Sequence, residues 1–201
     1  MDRRTLLVRA TAFTATLTSG AIAAPREPVI GGPCEGCEWV FDDQPGALRS
    51  VARIAPANEP GVPMVIEGTV TTMSGAAGRS VIVYAYHTDQ TGIYPRAANR
   101  HGTLRGWAIT DAEGRYRFDT IRPGAYPSRN VAEHVHMHVI EPGIGTYFIA
   151  NLEFQDDPLN STRTRENRGG NGYMLPVRRD GVWQVRRDIV LGQNIPGYPP
   201  R

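Results

Sequence analysis

The sequence His134-Val135-His136-Met137-His138-Val139 alternates polar and apolar residues. Because side chains of a β-strand alternate between two faces, it predicts a strand with three imidazoles on one face and Val135, Met137 and Val139 on the other. Neutral imidazole binds zinc, copper, iron and nickel, so the histidine face predicts a metal site. The alternative is a half-exposed strand whose histidines are simply polar.

A tyrosine lies just upstream of this strand on backbone that is predicted to be extended. Pro123-Gly124 predicts a turn, and Pro127 biases Tyr126 away from helical backbone. A trivalent ion strongly lowers the pKa of a phenol, so tyrosine can act as an anionic oxygen ligand. Ferric iron is the ion that favours such a partner, and Tyr126 is therefore a candidate ligand.

Short strand patterns recur along the chain, and no periodic segment of helix length separates them. The predicted strands cover residues 64–70, 81–86, 107–110, 115–118, 134–139, 147–154, 182–185 and 188–191. The turn residues Asp111 to Gly114 predict a hairpin between the strands at 107–110 and 115–118. The spacing favours an all-β fold, an antiparallel β-sandwich, over a βαβ sheet.

Length and composition indicate one globular domain, with 201 residues of which 40% are hydrophobic and 21% charged. We predict four parts: an export signal at 1–24, an irregular N-terminal arm at 25–63, the sandwich at 64–193 and a tail at 194–201. The polar segment at 160–172 predicts a surface loop that rims a substrate cleft.

The first 24 residues resemble a twin-arginine export signal. Arg3-Arg4 precedes a mildly apolar stretch, and Ala21-Ile22-Ala23-Ala24 offers a small-residue cleavage site. The alternative is an amphipathic N-terminal helix of the mature protein. Removal of the signal takes away three arginines and one aspartate, so the formal charge falls from +2 to 0. We therefore expect an exported protein, periplasmic or extracellular.

Two classes of partner are disfavoured by the composition. All 22 basic residues are arginines, and they are scattered rather than clustered, which argues against a nucleic-acid partner. After the signal, no stretch approaches the roughly 18 apolar residues of a membrane span. We expect neither nucleic acid nor membrane as a partner after signal removal, and homo-oligomer formation stays open.

Cys34 and Cys37 are the only cysteines of the chain. In an oxidising compartment a Cys-x-x-Cys pair favours a local structural disulfide, and the βαβ setting of a redox motif is missing. Two cysteines alone also make a poor zinc site. The pair is predicted to pin the N-terminal arm.

Six short motifs between positions 104 and 136 carry a resemblance to a known family. They are Leu104-Arg105-Gly106, Thr110-Asp111, Gly114-Arg115-Tyr116-Arg117-Phe118, Thr120-Ile121-Arg122-Pro123-Gly124, Tyr126-Pro127 and His134-Val135-His136. Together they resemble the core of the intradiol ring-cleavage dioxygenases, the family that includes protocatechuate and catechol dioxygenases. The resemblance covers roughly residues 64–158 and implies the same β-sandwich fold.

The resemblance implies a non-haem Fe(3+) held by two tyrosines and two histidines. Tyr126, His134 and His136 fall on three of the family's ligand positions, and Tyr94, after a strand and an acidic turn, is similar to the fourth. The implied substrates are a small aromatic diol of the catechol type and O2. The implied reaction opens the ring between the two hydroxyl-bearing carbons to a muconate-type diacid, with Tyr126 as the displaced ligand that accepts a substrate proton.

One departure from the family pattern concerns the residues just before His134. Typical members carry an arginine there that faces the substrate, whereas this chain has Val131-Ala132-Glu133. Arg129 is the predicted catalytic replacement, with Arg105 as the other candidate, and a surface or salt-bridge role is the alternative for both. His138 is outside the family's ligand set and is expected beside the ligands or at the surface.

Two alternative functions come from other classes. A zinc or copper hydrolase or oxidase would use the histidine strand and leave Tyr94 and Tyr126 as core residues. A metal-free carbohydrate-binding or adhesion module would use Trp107 and Trp183 as stacking surfaces. The visible spectrum and metal analysis of the purified protein separate these functions.

Overall fold

The computed structural model describes residues 27–34, 36–159 and 167–200. The predicted export signal lies outside the described residues, as do residues 160–166 of the predicted rim loop. Eleven strands cover this part of the chain: β1 (Val51–Arg53), β2 (Pro63–Thr71), β3 (Ile82–Tyr86), β4 (Arg105–Ile109), β5 (Arg115–Ile121), β6 (His134–Glu141), β7 (Gly145–Phe154), β8 (Tyr173–Met174), β9 (Val177–Arg179), β10 (Val182–Arg186) and β11 (Ile189–Val190). A short 3-10 helix spans Cys37–Trp39.

The strands form two sheets. The first has the order β1-β5-β2-β10-β9, with β11 also paired to β2, and the second has the order β4-β3-β6-β7-β8. The longest pairings, β2 with β5 and β6 with β7, are antiparallel, and parallel pairing is confined to the short strands β1, β8, β10 and β11. The predicted all-β sandwich is confirmed. Among the described segments, no helix is long and apolar enough to cross a membrane.

The alternation in β6 divides the second sheet into two chemically different faces. Val135, Met137 and Val139 are fully buried in the core between the sheets, as the sequence pattern predicts. They pack there with residues from the other strands, including Ile66, Val83, Phe118, Ile149 and Leu152. The histidines therefore lie on the opposite, outer face of this sheet.

The N-terminal arm covers the outer face of the second sheet. Val40 from the arm packs in a second apolar cluster with Tyr84, Tyr86, Trp107 and Ile140. The Trp107 indole Nε1 donates a hydrogen bond of 2.7 Å to the Val40 carbonyl, which satisfies the one polar atom of a buried ring. The arm also adds β1 to the first sheet, where it pairs with β5.

The predicted hairpin at Asp111 to Gly114 is wrong as a strand pair. Asp111 does form a tight turn, since its Oδ1 accepts from the backbone N–H of Glu113 and Arg115. The two flanking strands, however, join different sheets: β4 pairs with β3, and β5 pairs with β2. The turn therefore carries the chain from one sheet of the sandwich to the other.

The two tryptophans do not form the stacking surfaces of a carbohydrate-binding module. Trp107 is only 8% exposed and lies under the arm. Trp183 is covered by guanidinium groups, with the Arg122 Cζ at 4.7 Å and the Arg178 Cζ at 5.7 Å from its ring centroid. Trp107 is thus buried, and Trp183 is half-buried and already in contact with two arginines.

His87 is a buried histidine that should make the fold acid-sensitive. Its Nδ1 donates to the Thr88 carbonyl and its Nε2 accepts from the Thr120 hydroxyl, both at 2.6 Å. Burial lowers the pKa of His87 to about 4. Between pH 6.5 and 4 the unfolded chain therefore binds the extra proton, so stability is complete above about pH 6.5 and is lost as the pH falls.

Between pH 6.5 and 4, proton binding at His87 in the unfolded chain should lower the free energy of unfolding of the metal-free protein by about 3 kcal/mol. Urea unfolding at several pH values measures the effect. A His87→Gln variant should be less stable at neutral pH and should show a shallower pH slope. A slope equal to that of the wild type would contradict the assignment.

Candidate metal centre

His134 and His136 converge at one end of β6. Their Nε2 atoms lie 3.1 Å apart, although the side chains start two residues apart on the strand. The Nδ1 of His134 donates a hydrogen bond of 2.8 Å to the Ala132 carbonyl. This bond fixes the tautomer, so the Nε2 lone pair of His134 points into the site.

A register shift in the neighbouring strand accompanies this convergence. Val135 pairs with Leu152 and Met137 with Ile149, so β7 has one extra residue opposite His136. Such bulges redirect side chains and are common beside functional sites. Burial, reinforced by His134, lowers the pKa of His136 well below its ordinary value, so the ring stays neutral and can act as a ligand.

Tyr94 and Tyr126 complete the cluster. The Tyr126 hydroxyl oxygen is 2.7 Å from that of Tyr94, 3.3 Å from the His134 Nε2 and 3.4 Å from the His136 Nε2. The structure thus brings together all four residues that the sequence predicts as metal ligands.

Two glycines allow the tyrosine-bearing loops to approach each other. A Cβ at Gly92, which has a φ of 81°, would overlap the carbonyl of Ala125. A Cβ at Gly124 would overlap the carbonyl of Gln90, and the Gly124 N–H donates to the Asp89 carbonyl at 2.8 Å. The Pro-Gly turn before Tyr126 is therefore required by backbone contact, because any side chain would push the two phenols apart.

The donor set fits a metal ion such as Fe(3+). Bonds of about 2.0–2.1 Å at tetrahedral or octahedral angles separate neighbouring ligand atoms by about 2.9–3.4 Å. Three separations in this cluster, 3.1, 3.3 and 3.4 Å, lie in that range, and the two phenol oxygens are slightly closer, at 2.7 Å. Two phenol oxygens and two imidazole nitrogens suit a trivalent ion, because its charge favours the phenolate form.

The four side chains line one end of a cavity of about 750 Å³. Charged and polar residues that the sequence did not single out as site residues also line it: Glu38, Arg100, His101, Asn151 and Arg168. Together with Arg129, three arginines and one glutamate line the cavity, so the formal charge of its wall is positive. Of these residues, only the arginines had been noted from the sequence. Because they are scattered along the chain, their positions did not indicate that they meet at one cavity.

The two arginines proposed as substitutes for the family's arginine have different surroundings. Arg129 is exposed, lines the cavity and lies with its Cζ 5.9 Å from the Tyr126 ring centroid. Arg105 instead donates to the Asp43 carboxylate at 2.6 Å and to the Asp42 carbonyl at 3.0 Å. Arg105 is therefore a structural residue that anchors the arm, and it is outside the cavity lining.

Glu133, at the position where the family pattern differs, also has a structural role. Its carboxylate accepts a 2.6 Å hydrogen bond from Arg122, whose other guanidinium nitrogens bind Asp156. Burial raises the pKa of Glu133, and the Arg122 charge opposes this rise. The segment before His134 is thus held by ion pairs that do not involve the cavity.

Comparison with protein families identifies the family of the chain. A family model described as "Dioxygenase" matches residues 40–164, more than half of the chain. The chain belongs to the intradiol ring-cleavage dioxygenase family. The match begins inside the arm and includes all four residues of the cluster.

Named relatives agree with this membership. The protocatechuate 3,4-dioxygenase beta chain of Burkholderia cepacia is 32% identical over 108 residues, which are 48% of this chain and 46% of that protein. The catechol 1,2-dioxygenase of Candida albicans is 29% identical over 145 residues, which are 63% of this chain and 42% of that protein. The chain thus spans less than half the length of these two relatives.

Solved structures of intradiol dioxygenases share the fold. The dioxygenase domain of a dioxygenase and carbohydrate-binding protein fusion from Streptomyces sp. SirexAA-E has a TM-score of 0.60 and 24% identity, covering 76% of this chain and 97% of that one. The catechol 1,2-dioxygenase of Acinetobacter sp. ADP1 with bound mercury has a TM-score of 0.60 and 19% identity, covering 89% and 67%.

Proposed function

We propose that this chain is a ferric dioxygenase that opens catechol-type rings between the two hydroxyl-bearing carbons and yields muconate-type diacids. The observation that carries the proposal is the convergence of two phenols and two imidazoles. The Tyr94 oxygen and the Nε2 atoms of His134 and His136 all lie within 3.4 Å of the Tyr126 oxygen, and the two Nε2 atoms are 3.1 Å apart. Zinc and copper sites seldom combine two tyrosines, whereas Fe(3+) favours phenolate oxygen.

Tyr94, Tyr126, His134 and His136 would hold the ion. When bound, Fe(3+) would draw electron density from a chelated catecholate and so make a ring carbon reactive towards O2. The cavity offers room for one aromatic ring beside the cluster, since its volume of about 750 Å³ is ample for a small diol.

The protein itself would contribute proton transfer and electrostatics. Tyr126 lines the cavity, and its oxygen, as the phenolate that the ion favours, would accept a proton from a substrate hydroxyl. The arginines of the wall favour an anionic substrate, because they line the same cavity as the cluster and give it a positive charge.

The function is tested with iron-loaded protein and catechol. We expect a red to brown colour from a broad phenolate-to-iron charge-transfer band, which shifts to longer wavelength when catechol is added without oxygen. Admission of oxygen should then release a muconate-type diacid, identified by mass spectrometry. A colourless protein that does not respond to catechol would overturn the proposal, and oxygen uptake with only a quinone product would indicate simple catechol oxidation.

Arg129 is expected to assist substrate binding through its charge. An Arg129→Gln variant should lower kcat/KM for catechol by about tenfold or less, because the guanidinium is exposed to solvent and its field is screened. Steady-state kinetics at two ionic strengths provide the measurement. Arg100→Gln is the matched control, since Arg100 is also exposed and lines the same cavity. An equal loss in both variants would indicate a general field rather than a specific role of Arg129.

A further inference from the structure

His138 is a buried histidine without an explanation in the dioxygenase site. The side chain is completely buried, and neither ring nitrogen has a hydrogen-bond partner among the described residues. Its neighbours are the aromatic rings of Tyr84, Tyr86, His101 and Phe148, with centroids 5.6 to 6.2 Å away. A buried polar atom without a partner costs about 1–3 kcal/mol, so two of them on one ring call for a ligand or a functional role.

The Cys34–Cys37 disulfide lies directly against this ring. One ring nitrogen of His138 and the two sulfurs all lie within 4.8 Å of one another. The arm brings the cysteines there, because Gly36 packs so closely against His101 that a Cβ at this position would overlap the His101 Nε2. Two motifs that are about 100 residues apart in the sequence thus meet on the outer face of the second sheet.

The three side chains have the chemistry of a zinc site once the disulfide is reduced. Neither ring nitrogen of His138 has a hydrogen-bond partner among the described residues, so the lone pair of a neutral imidazole is available to a metal ion. Two thiolates in a Cys-x-x-Cys spacing and one imidazole are ligands that zinc favours. Tetrahedral zinc would place these atoms about 3.5–3.8 Å apart. The two sulfurs, about 2 Å apart in a disulfide, would move apart by nearly 2 Å after reduction. The ring nitrogen lies within 4.8 Å of both sulfurs, so these separations would change by no more than about 1 Å if they shorten to that range.

We propose that reduction of the Cys34–Cys37 disulfide creates a second metal site, in which the two thiolates and His138 bind Zn2+. A dithiol reductant supplies two electrons and two protons, the S–S bond breaks to give two thiols, and the reductant becomes a disulfide. Each thiol then releases its proton to solvent as zinc binds. Cys34 and His101 also line the cavity, so its water can fill the fourth coordination position.

Cobalt provides a spectroscopic test of this site. The iron-loaded protein is reduced with a phosphine, which does not compete as a thiol ligand, and is then titrated with Co2+. We expect one equivalent of cobalt with a near-ultraviolet thiolate-to-cobalt band in the reduced protein and none in the oxidised protein. Cys34→Ser should abolish the band, and His138→Asn should weaken cobalt binding by about 100-fold or more.

The matched control is His136→Ala, which removes a residue of the dioxygenase site and should leave the thiolate-to-cobalt band unchanged. The cobalt band therefore tests the zinc site independently of the proposed dioxygenase function. Absence of the band in reduced wild-type protein would overturn the proposal, as would equal cobalt affinity in folded His138→Asn protein.

A second measurement needs only the wild-type chain. The disulfide is equilibrated in dithiol and disulfide buffers with and without Zn2+, and the fraction of free thiol is determined. Zinc should shift the midpoint to a more positive potential, by about 30 mV for each tenfold stabilisation of the reduced form. A midpoint that does not respond to zinc would contradict a metal site at these cysteines.

Discussion

Replacement of His134 or His136 by alanine should remove iron from the protein and reduce ring cleavage by more than about 100-fold. In the proposed site each imidazole would supply one of four donor atoms, with the two Nε2 atoms 3.1 Å apart, so either substitution would remove a direct ligand. Loss of even an outer hydrogen-bond partner costs about 10–100-fold in metal affinity, and loss of a direct ligand costs more. Metal analysis and product assays of the purified variants measure both effects.

His138→Ala is the matched control, because it removes an imidazole from the same face of the same strand. Neither ring nitrogen of His138 forms a hydrogen bond to any of the four donors. The variant should keep one iron per chain. Iron loss equal to that in the other two variants would show that the ligand set is wrong.

The histidine strand and Tyr126 could be predicted from local patterns, whereas Tyr94 and the four-residue ligand set came from the family resemblance. The period-two alternation of β6 separates the histidines from Val135, Met137 and Val139, and this separation is present in the structure. The Pro123-Gly124 turn also acts locally, since the backbone of Gly124 contacts the other tyrosine loop. Strand positions followed from the same kind of pattern.

Features that depend on long-range contacts were not predictable from these patterns. The turn at Asp111 has the sequence of a hairpin, and only the pairing of β4 with β3 and of β5 with β2 decides that it crosses between sheets. A local turn signal contains no information on which strand each neighbour will pair with. The same limit explains why the hairpin prediction is wrong.

The arm illustrates this limit for the functional site. Residues of the arm, including Cys34 and Trp39, form part of the cavity wall. Their sequence lacks periodicity, because they cover a face of the sheet rather than form part of it. The meeting of Cys34 with His138 and that of Val40 with Trp107 depend on where the arm lies, which no motif in the arm specifies.

Tyr126→Phe should lower kcat by about 100-fold or more while the other three donors still hold iron. The two phenols differ in their surroundings. Tyr94 packs against the apolar cluster of Tyr84, Tyr86 and Trp107. Tyr126 directly precedes an exposed segment at 127–130. These surroundings agree with the proposed role of Tyr126 as the phenol that leaves the metal and accepts a substrate proton. Loss of a positioned general base typically costs 10²–10⁴-fold in rate.

The pH profile separates this role from a merely structural one. Without the Tyr126 oxygen, the substrate must lose its proton to solvent, so kcat/KM of the variant should rise with pH across the range where the wild type is flat. Tyr94→Phe is the control, because it also removes one phenol and part of the visible band but leaves the proposed proton acceptor in place. If Tyr126→Phe retained the wild-type rate and pH profile, proton acceptance by Tyr126 would be ruled out, because the same chemistry would proceed without its oxygen.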